Sequence, residues 1–460
     1  MPSTSVSNTV FDKYSGEPIA AIAEASKEEA DAAVKAASDA FNSEILPPHT
    51  RFEVLARASQ LVEVHAAELA KLLVREVGKT IFEARVEVAS AIASILNSAE
   101  EAKRIHGEMI PIDGNAGSEQ KLAFTLRVPS GPVCAITPFN SPLNIAAHKI
   151  SSALAAGSSV VIKPSEVAPL STIRLLELFS EAGLPSGYLN AVFGGATLGE
   201  QLCQDERFSR YSFTGGTAAG RKVAAAVGLR PVTLELGPAA PTFVHEDADL
   251  DRAAKRCQLA AFAIAGQVCT SVQRLFVHET ILTQFLDRFL PLVAALKIGD
   301  PAREDTDVGP MISDAAAERA EEWVQKAVQG GAHVLVGGHR TGRMFAPTVL
   351  TGVTLEMDVY RREAFAPVVC IVPYTDLVPA ISQANDLGGG LQAGIFTRDL
   401  KVAFEYARRV RAGAVMVNDT SRFRVANMPF GGVGESGIGR EGPKYAIQEL
   451  TDEKTVVVHL

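Results

Sequence analysis

From Gly131 to Val417 the chain alternates short apolar or β-branched runs with longer amphipathic ones, and this alternation limits the possible folds most sharply. Val133-Cys-Ala-Ile-Thr137, Ser159-Val-Val-Ile162, Leu189-Asn-Ala-Val-Phe193, Arg210-Tyr-Ser-Phe213 and Val232-Thr-Leu-Glu-Leu236 read as strands. Helical patterns at 142–156, 169–182, 197–204 and from Ala218 separate them. A second set follows, with strands expected at 273–278, 332–336, 346–350, 367–373, 393–396 and 414–417. Its helices are expected at 250–265, 280–296, 313–329, 376–386 and 399–410. Strands and helices at this spacing indicate βαβ units, hence an α/β protein with doubly wound parallel sheets. A chain of 460 residues is long enough for two such domains.

The flanking segments differ in character. Residues 11–25 read as a short strand pair, and Ser26-Lys-Glu-Glu29 matches a capping box opening a helix to about Phe41. Two long amphipathic patterns, 50–76 and 79–106, are broken at Gly78, and their charges read as solvated faces. Residues 111–130 form a hairpin-like excursion. The tail, 449–460, ends in a β-rich segment with no evident partner in its own domain, which suggests pairing at a subunit edge.

Composition excludes several classes. A net charge of −9 disfavours a nucleic-acid partner, and no apolar run reaches the length of a membrane span. The N-terminal residues show no basic region followed by an apolar core, so no secretory signal is expected. The cysteines (Cys134, Cys203, Cys257, Cys269, Cys370) are odd in number and never paired as C-x-x-C. That argues against a disulfide framework and a metal site, and for a reducing cytoplasm.

Five stretches could carry chemistry. Cys269 sits in Gly266-Gln-Val-Cys-Thr-Ser271, a flexible stretch leading into a strand. Loops on rigid scaffolds present reactive groups, although a small buried hydrophobe is the commoner fate of a free cysteine. Tyr211-Ser-Phe-Thr-Gly-Gly-Thr217 runs from a strand through a Gly-Gly turn into a helix. It suits an anion at a helix N-terminus, and a tight βα turn explains it almost as well. Lys163-Pro-Ser-Glu166 lies beyond a strand's carboxyl end, where α/β sheets bind ligands, or forms a solvated loop. Glu235, inside an apolar strand, either points outward or is buried, with a pKa raised towards that of a general base. Asn140 in Thr137-Pro-Phe-Asn-Ser-Pro142 lies at another strand end, a place where asparagine commonly shapes turns.

In chain order, the pattern is Pro-Phe-Asn140-Ser-Pro, Lys163-Pro-Ser-Glu166, Phe213-Thr-Gly-Gly216 and Leu234-Glu-Leu-Gly237. Gly266-Gln-Val-Cys269, Glu363-Ala-Phe365 and Pro429-Phe-Gly-Gly432 complete it. This ordered set resembles the aldehyde dehydrogenase superfamily over essentially the whole chain, near its lactaldehyde and semialdehyde branch.

The resemblance implies two doubly wound parallel-sheet domains and a small β oligomerisation element. Residues 1–111 with 130–235 would bind NAD or NADP, 236–440 would be catalytic, and 112–129 with 441–460 would make a homodimer or homotetramer. It implies Cys269 as nucleophile, Asn140 as oxyanion donor and Glu235 as the base that activates water. It places Thr137, Pro138, Phe139, Phe213, Thr214, Gly215, Gly216, Leu236 and Gly237 around the cofactor. Lys163, Ser165 and Glu166 would meet the adenosine ribose, Glu363 the nicotinamide ribose, and Phe365 the nicotinamide. Ser165 and Lys163 suit a 2′-phosphate while Glu166 suits a free hydroxyl, so both cofactors stay open.

Ser141, Asn144, His148, Val268, Thr270, Arg422, Arg424 and Phe430 would line the substrate funnel. Ser141 and His148 stand where relatives acting on apolar aldehydes often carry bulky aromatics. That favours a small polar or anionic aldehyde, lactaldehyde-like or a short semialdehyde, over a broad-specificity or aromatic-aldehyde enzyme. Arg422 or Arg424 would pair with its distal anion, or both would stabilise a surface loop. The segment Leu236-Gly-Pro-Ala-Ala-Pro241 departs from the Gly-Gly-Lys of many relatives. A CoA-acylating enzyme is disfavoured by Glu235, and a non-catalytic binding protein by the joint presence of Cys269, Glu235 and Asn140.

Overall fold

The computed structural model describes residues 7–43, 45–237 and 240–460, so Pro238 and Ala239 of the departing segment lie outside the described residues. Two mostly parallel sheets organise the chain. The first has six strands in the order Gly437–Ile438, Val232–Leu236, Arg210–Gly215, Val133–Ile136, Val160–Lys163, Leu189–Ala191. All its neighbours run parallel except the first pair. The chain enters at Val133, winds outward through Val160 and Leu189, then crosses to Arg210 on the other side. The order therefore reverses between Val133–Ile136 and Arg210–Gly215, and the crevice beyond their carboxyl ends is where such a sheet binds a ligand.

The second sheet has seven strands: His333–Val336, Thr348–Thr351, Val368–Tyr374, Val272–His278, Ala240–Val244, Gly390–Phe396 and Ala412–Val417. Only His333–Val336 runs antiparallel to its neighbour. The inner strand Ala240–Val244 is not among the expected strands, because it carries Pro241, a residue that sheets disfavour. Its pairing register shifts between Ala240 and Pro241, and such an irregularity lets a proline sit inside a sheet.

The helical expectations hold with two exceptions, one being 250–265, whose α-helix ends at Phe262 because Ile264 and Ala265 turn left-handed. Ser26 Oγ accepts from Glu29 N–H, and the Glu29 carboxylate accepts from Ser26 N–H, as a capping box requires. Gly78 closes Ala66–Val77 in a left-handed conformation, φ 84. The pattern at 50–76, however, is two helices, Pro48–Val64 and Ala66–Val77, separated at His65. The imidazole there bonds Glu68 Oε2 at 2.8 Å beside the new first turn. These helices bury Leu55, Leu69 and Leu73, and the next helix, Ile81–Ala102, buries Ile95, in one core with Leu143, Ile150 and Leu154 of Pro142–Ala156. Burying each such side chain contributes about 1.5–3 kcal/mol.

The excursion at 111–130 is not a self-contained hairpin. Lys121–Pro129 pairs along its whole length with Thr451–His459, and Met109–Ile110 adds a short third strand. The terminal strand thus has a partner in its own chain, while its outer edge pairs with no described strand.

Candidate active site

The two sheets meet at opposite ends. Val232–Leu236 leaves the first sheet and Ala240–Val244 enters the second after a short link, so the carboxyl edge of one faces the amino edge of the other. Cys269 lies just before Val272–His278 and Glu363 with Phe365 just before Val368–Tyr374, all at that amino edge.

Two cavities flank Cys269. One, of about 510 Å³, is lined by Pro138, Phe139, Thr214, Gly215, Gly216, Glu235, Gly237, Gln267, Arg319, Glu363 and Phe365. The other, of about 610 Å³, is lined by Ser141, Asn144, His148, Val268, Thr270, Arg422, Arg424 and Phe430, with Ser90, Ser94 and Arg256. Asn140 and Cys269 line both. The sulfur therefore stands where two ligands entering from opposite sides would meet.

Electrostatics around Cys269 oppose a resting thiolate. Burial, then the nearby Glu363 carboxylate, push the thiol up to about 12, and Arg424 pulls the other way. Glu235 is buried on its strand, and neither carboxyl oxygen has a hydrogen-bond partner among the described residues. Burial raises its pKa well above the ordinary carboxylate value; Glu441 adds to this, and Lys149, Arg424 and Arg440 oppose it. The strand's two-sided burial resolves the alternative of an outward carboxylate. Asn140 is buried between Val133–Ile136 and Pro142–Ala156, and its side-chain amide bonds no described residue. The helix it precedes is anchored by Glu87, whose Oε1 accepts from Leu143 N–H at 3.0 Å and Asn144 N–H at 3.1 Å. Lys79 pairs with the same buried carboxylate.

The 510 Å³ cavity opens at the crossover point of the first sheet and fits a dinucleotide. Gly216 precedes the N-terminus of Thr217–Val227, where a negative group is favoured. Thr214 Oγ1 in the lining is buried with no hydrogen-bond partner among the described residues, as is Thr137 Oγ1, whose residue does not line the cavity. Gly237 touches Glu363, and a Cβ there would fall 2.1 Å from its Oε2. Burial raises Glu363 to about 7, against Arg274 and Arg319. Phe139 and Phe365 meet edge to face, ring centres 5.7 Å apart.

Phe213 and Leu236 do not reach this cavity. Phe213 lies under Gly215, and Leu236 lies under Gly220, where an added Cβ would collide with it. Lys163, Ser165 and Glu166 stand further along the same sheet edge, beside Gly195 and Gly199. Lys163 is buried, which lowers its pKa, and the Glu166 charge opposes that shift.

In the 610 Å³ cavity the cations differ. Arg424 stacks 3.7 Å over Phe430, with Nη2 3.5 Å from Glu441 and 3.3 Å from His148 Nε2. Arg256 is held by both oxygens of Asp419, at 2.9 and 2.7 Å. The Arg422 guanidinium has no hydrogen bond or ion pair among the described residues. Burial, followed by Arg424, drives His148 down to about 3, so it is neutral and accepts from its neighbours.

Ser90, Ser94 and Arg256 were missed by sequence reasoning. Ser94 Oγ lies 3.0 Å from Asn144 Oδ1 and 2.9 Å from His148 Nε2. The available signal was the four-residue spacing of Val86, Ser90 and Ser94, one face of a helix read as solvated.

Comparison with known proteins gives the same picture. The model of the aldehyde dehydrogenase family matches residues 1–456. The 3-sulfolactaldehyde dehydrogenase of Priestia aryabhattai is 47% identical over 452 residues, covering 98% of this chain and 94% of that protein. The structure of aldehyde dehydrogenase 21 from Physcomitrella patens, in complex with the reaction product succinate, superposes with a TM-score of 0.97. It is 36% identical and covers 100% of this chain and 96% of that one. Glyceraldehyde-3-phosphate dehydrogenase GapN from Methanocaldococcus jannaschii, complexed with NADP, gives 0.95 at 37% identity, with both chains fully covered. The chain belongs to the aldehyde dehydrogenase family and is an NAD(P)-dependent oxidoreductase that converts an aldehyde to its carboxylic acid.

Proposed function

We propose that the physiological substrate is a small aldehyde carrying a distal anion, oxidised through covalent catalysis at Cys269. The observation that carries the substrate class is Arg422, a guanidinium in the cavity beside the sulfur with no hydrogen bond or ion pair among the described residues, on which the Glu83 carboxylate acts only through its field. An uncommitted cation in a partly desolvated cavity binds a carboxylate, sulfonate or phosphate strongly. The relatives named for sulfolactaldehyde and for a succinate complex support this class.

In the mechanism, the Cys269 thiol passes its proton to solvent as its sulfur bonds the aldehyde carbon and the C=O double bond opens to the oxyanion. The Asn140 amide and the Cys269 N–H hold the oxygen as it gains charge. Glu363 and the Gly215-Gly216 turn would hold the nicotinamide cofactor, which when bound would supply the hydride acceptor for this oxidation; Cys269 would then carry the acyl group as a thioester. Glu235 then takes a proton from water, which adds to the thioester carbonyl. The C–S bond breaks, the acid leaves, and the thiolate is restored.

On this reading residues 1–111 with 130–235 form the cofactor-binding domain and 236–440 the catalytic domain that carries the nucleophile, although Gly437–Ile438 returns to the first sheet. Residues 112–129 with 441–460 form the oligomerisation element of a dimer or tetramer, a reading supported by the open edge of Thr451–His459. Five free cysteines, four of them buried, suit a reducing cytoplasm.

The test is Arg422→Ala, assayed with succinic semialdehyde and with hexanal. Losing one charge-assisted contact should lower kcat/KM for the anionic aldehyde by about 10- to 100-fold and leave hexanal little changed. Equal effects on both aldehydes would overturn the assignment.

A further inference from the structure

The approach to Cys269 is held in a backbone conformation that its residues do not favour. Ile264, Ala265 and Gly266 all lie in the left-handed region, at φ 53, 50 and 69. For a β-branched residue this is an outlier, and it persists only where the surroundings impose it. Three contacts impose it here. The Gln267 amide donates to Ile264 O at 3.1 Å and accepts from Ile312 N–H at 2.9 Å. Gly266 packs on Ala366, where a Cβ would fall 2.0 Å from the carbonyl oxygen.

The third contact comes from a remote helix: Glu83 Oε1 accepts from Ile264 N–H at 2.6 Å. Its other oxygen accepts from Thr80 N–H at 3.0 Å, part of the capping box that opens Ile81–Ala102. One carboxylate thus ties that helix to the corner just upstream of Cys269. The same helix walls the 610 Å³ cavity through Val86, Ser90 and Ser94.

We infer that Glu83 is a positioning residue for the nucleophile. Its bond to Ile264 N–H locks the left-handed corner and so fixes how the Cys269 thiol and N–H leave the loop, relative to the cavity wall on Glu83's own helix. The inference rests on Cys269 being the nucleophile. A displacement of reacting atoms by about 1 Å can cost about 100-fold in rate.

Assayed with hexanal, whose lack of charge keeps the Glu83 field at Arg422 out of the reading, Glu83→Ala should therefore lower kcat about 10- to 100-fold while KM and cofactor affinity stay near wild type. Glu83→Asp, which keeps the charge but is one methylene too short to reach Ile264, should do the same. Glu83→Gln keeps a carbonyl oxygen for Ile264 but turns an amide towards Thr80 N–H, so it should lose Tm and recover kcat. Thr80→Ala, which breaks only the other half of the cap, should lower Tm and leave kcat unchanged. The proposal is overturned if Glu83→Ala or Glu83→Asp turns over like wild type. It is equally overturned if Glu83→Gln is as slow as Glu83→Ala, or if Thr80→Ala loses kcat to the same extent. Turnover surviving complete alkylation of Cys269 in the unaltered enzyme would instead overturn the nucleophile reading, whatever the Glu83 variants do.

Discussion

At the scale of single residues, burial decides the chemistry. Glu235 has no partner among the described residues and is kept protonated by desolvation, so it can act as a base only as that proton is lost. Hydrolysis of the thioester should therefore accelerate, and kcat climb, as pH rises beyond the ordinary carboxylate range. Glu235→Gln should flatten that climb and reduce kcat by about 10²–10⁴-fold, with acyl-enzyme accumulating in quenched samples read by mass spectrometry. Gly431 adjoins the same carboxyl: an added Cβ would lie 3.0 Å from Glu235 Oε1 and 2.5 Å from Gly439 O. Gly431→Ala should thus slow turnover through Glu235 without changing cofactor affinity, as steady-state kinetics beside a cofactor titration would show.

Cys269, Glu235 and Asn140 were singled out by the ordered set of motifs and not by any one stretch, since each alone also reads as a buried thiol, an outward carboxylate or a turn; the fold brings all three to one cavity. That Arg422 is unpaired was not legible. Asp419 satisfies Arg256, and Glu441, Phe430 and His148 engage Arg424, and only the folded chain makes these choices.

At the scale of elements, two buried carboxylates anchor helix N-termini that build the site. Glu87 holds Pro142–Ala156, which begins two residues after Asn140, and is itself paired with buried Lys79. Glu87→Ala leaves that ammonium uncompensated and should cost about 3–5 kcal/mol in urea unfolding, with a parallel loss of kcat as Asn140 shifts. Glu76 plays the same part for Leu170–Glu181, accepting from Leu170 N–H at 2.7 Å and Ser171 N–H at 2.8 Å.

Burial raises Glu76 to about 7 despite those bonds. The unfolded chain ionises this group near its ordinary value of about 4.3, so its contribution to stability is lost as pH rises from there to about 7. His148 acts in the opposite direction. It is neutral when folded and charged when unfolded, so it removes stability as pH falls below about 6.5. The Glu76 effect is therefore read as the difference in unfolding free energy between wild type and Glu76→Gln, measured from about pH 5 to 8.

Most helices were legible from periodicity and caps. Ala240–Val244 was not, because Pro241 and its neighbours carry turn chemistry that sheet context overrides. Nor was the cavity face of Ile81–Ala102, since small serines on a helix look solvated until another helix packs opposite them.

At the scale of the whole molecule, the two sheets share one cleft because Val232–Leu236 runs almost directly into Ala240–Val244. Sequence alternation implied both sheets, whereas their end-to-end meeting follows only from the topology. The three-stranded sheet projects Val457 and Leu460 into solvent beside an unpaired strand edge. If the proposed oligomer forms through this edge, deleting 451–460 should yield smaller species than the full chain in sedimentation velocity, and unchanged association would contradict that proposal.

The central claim is that two ligands meet at one sulfur, and Cys269→Ala tests it most directly. With succinic semialdehyde and NAD or NADP, this variant should form no reduced cofactor above background while still binding the cofactor. Sustained aldehyde oxidation by Cys269→Ala would contradict the account.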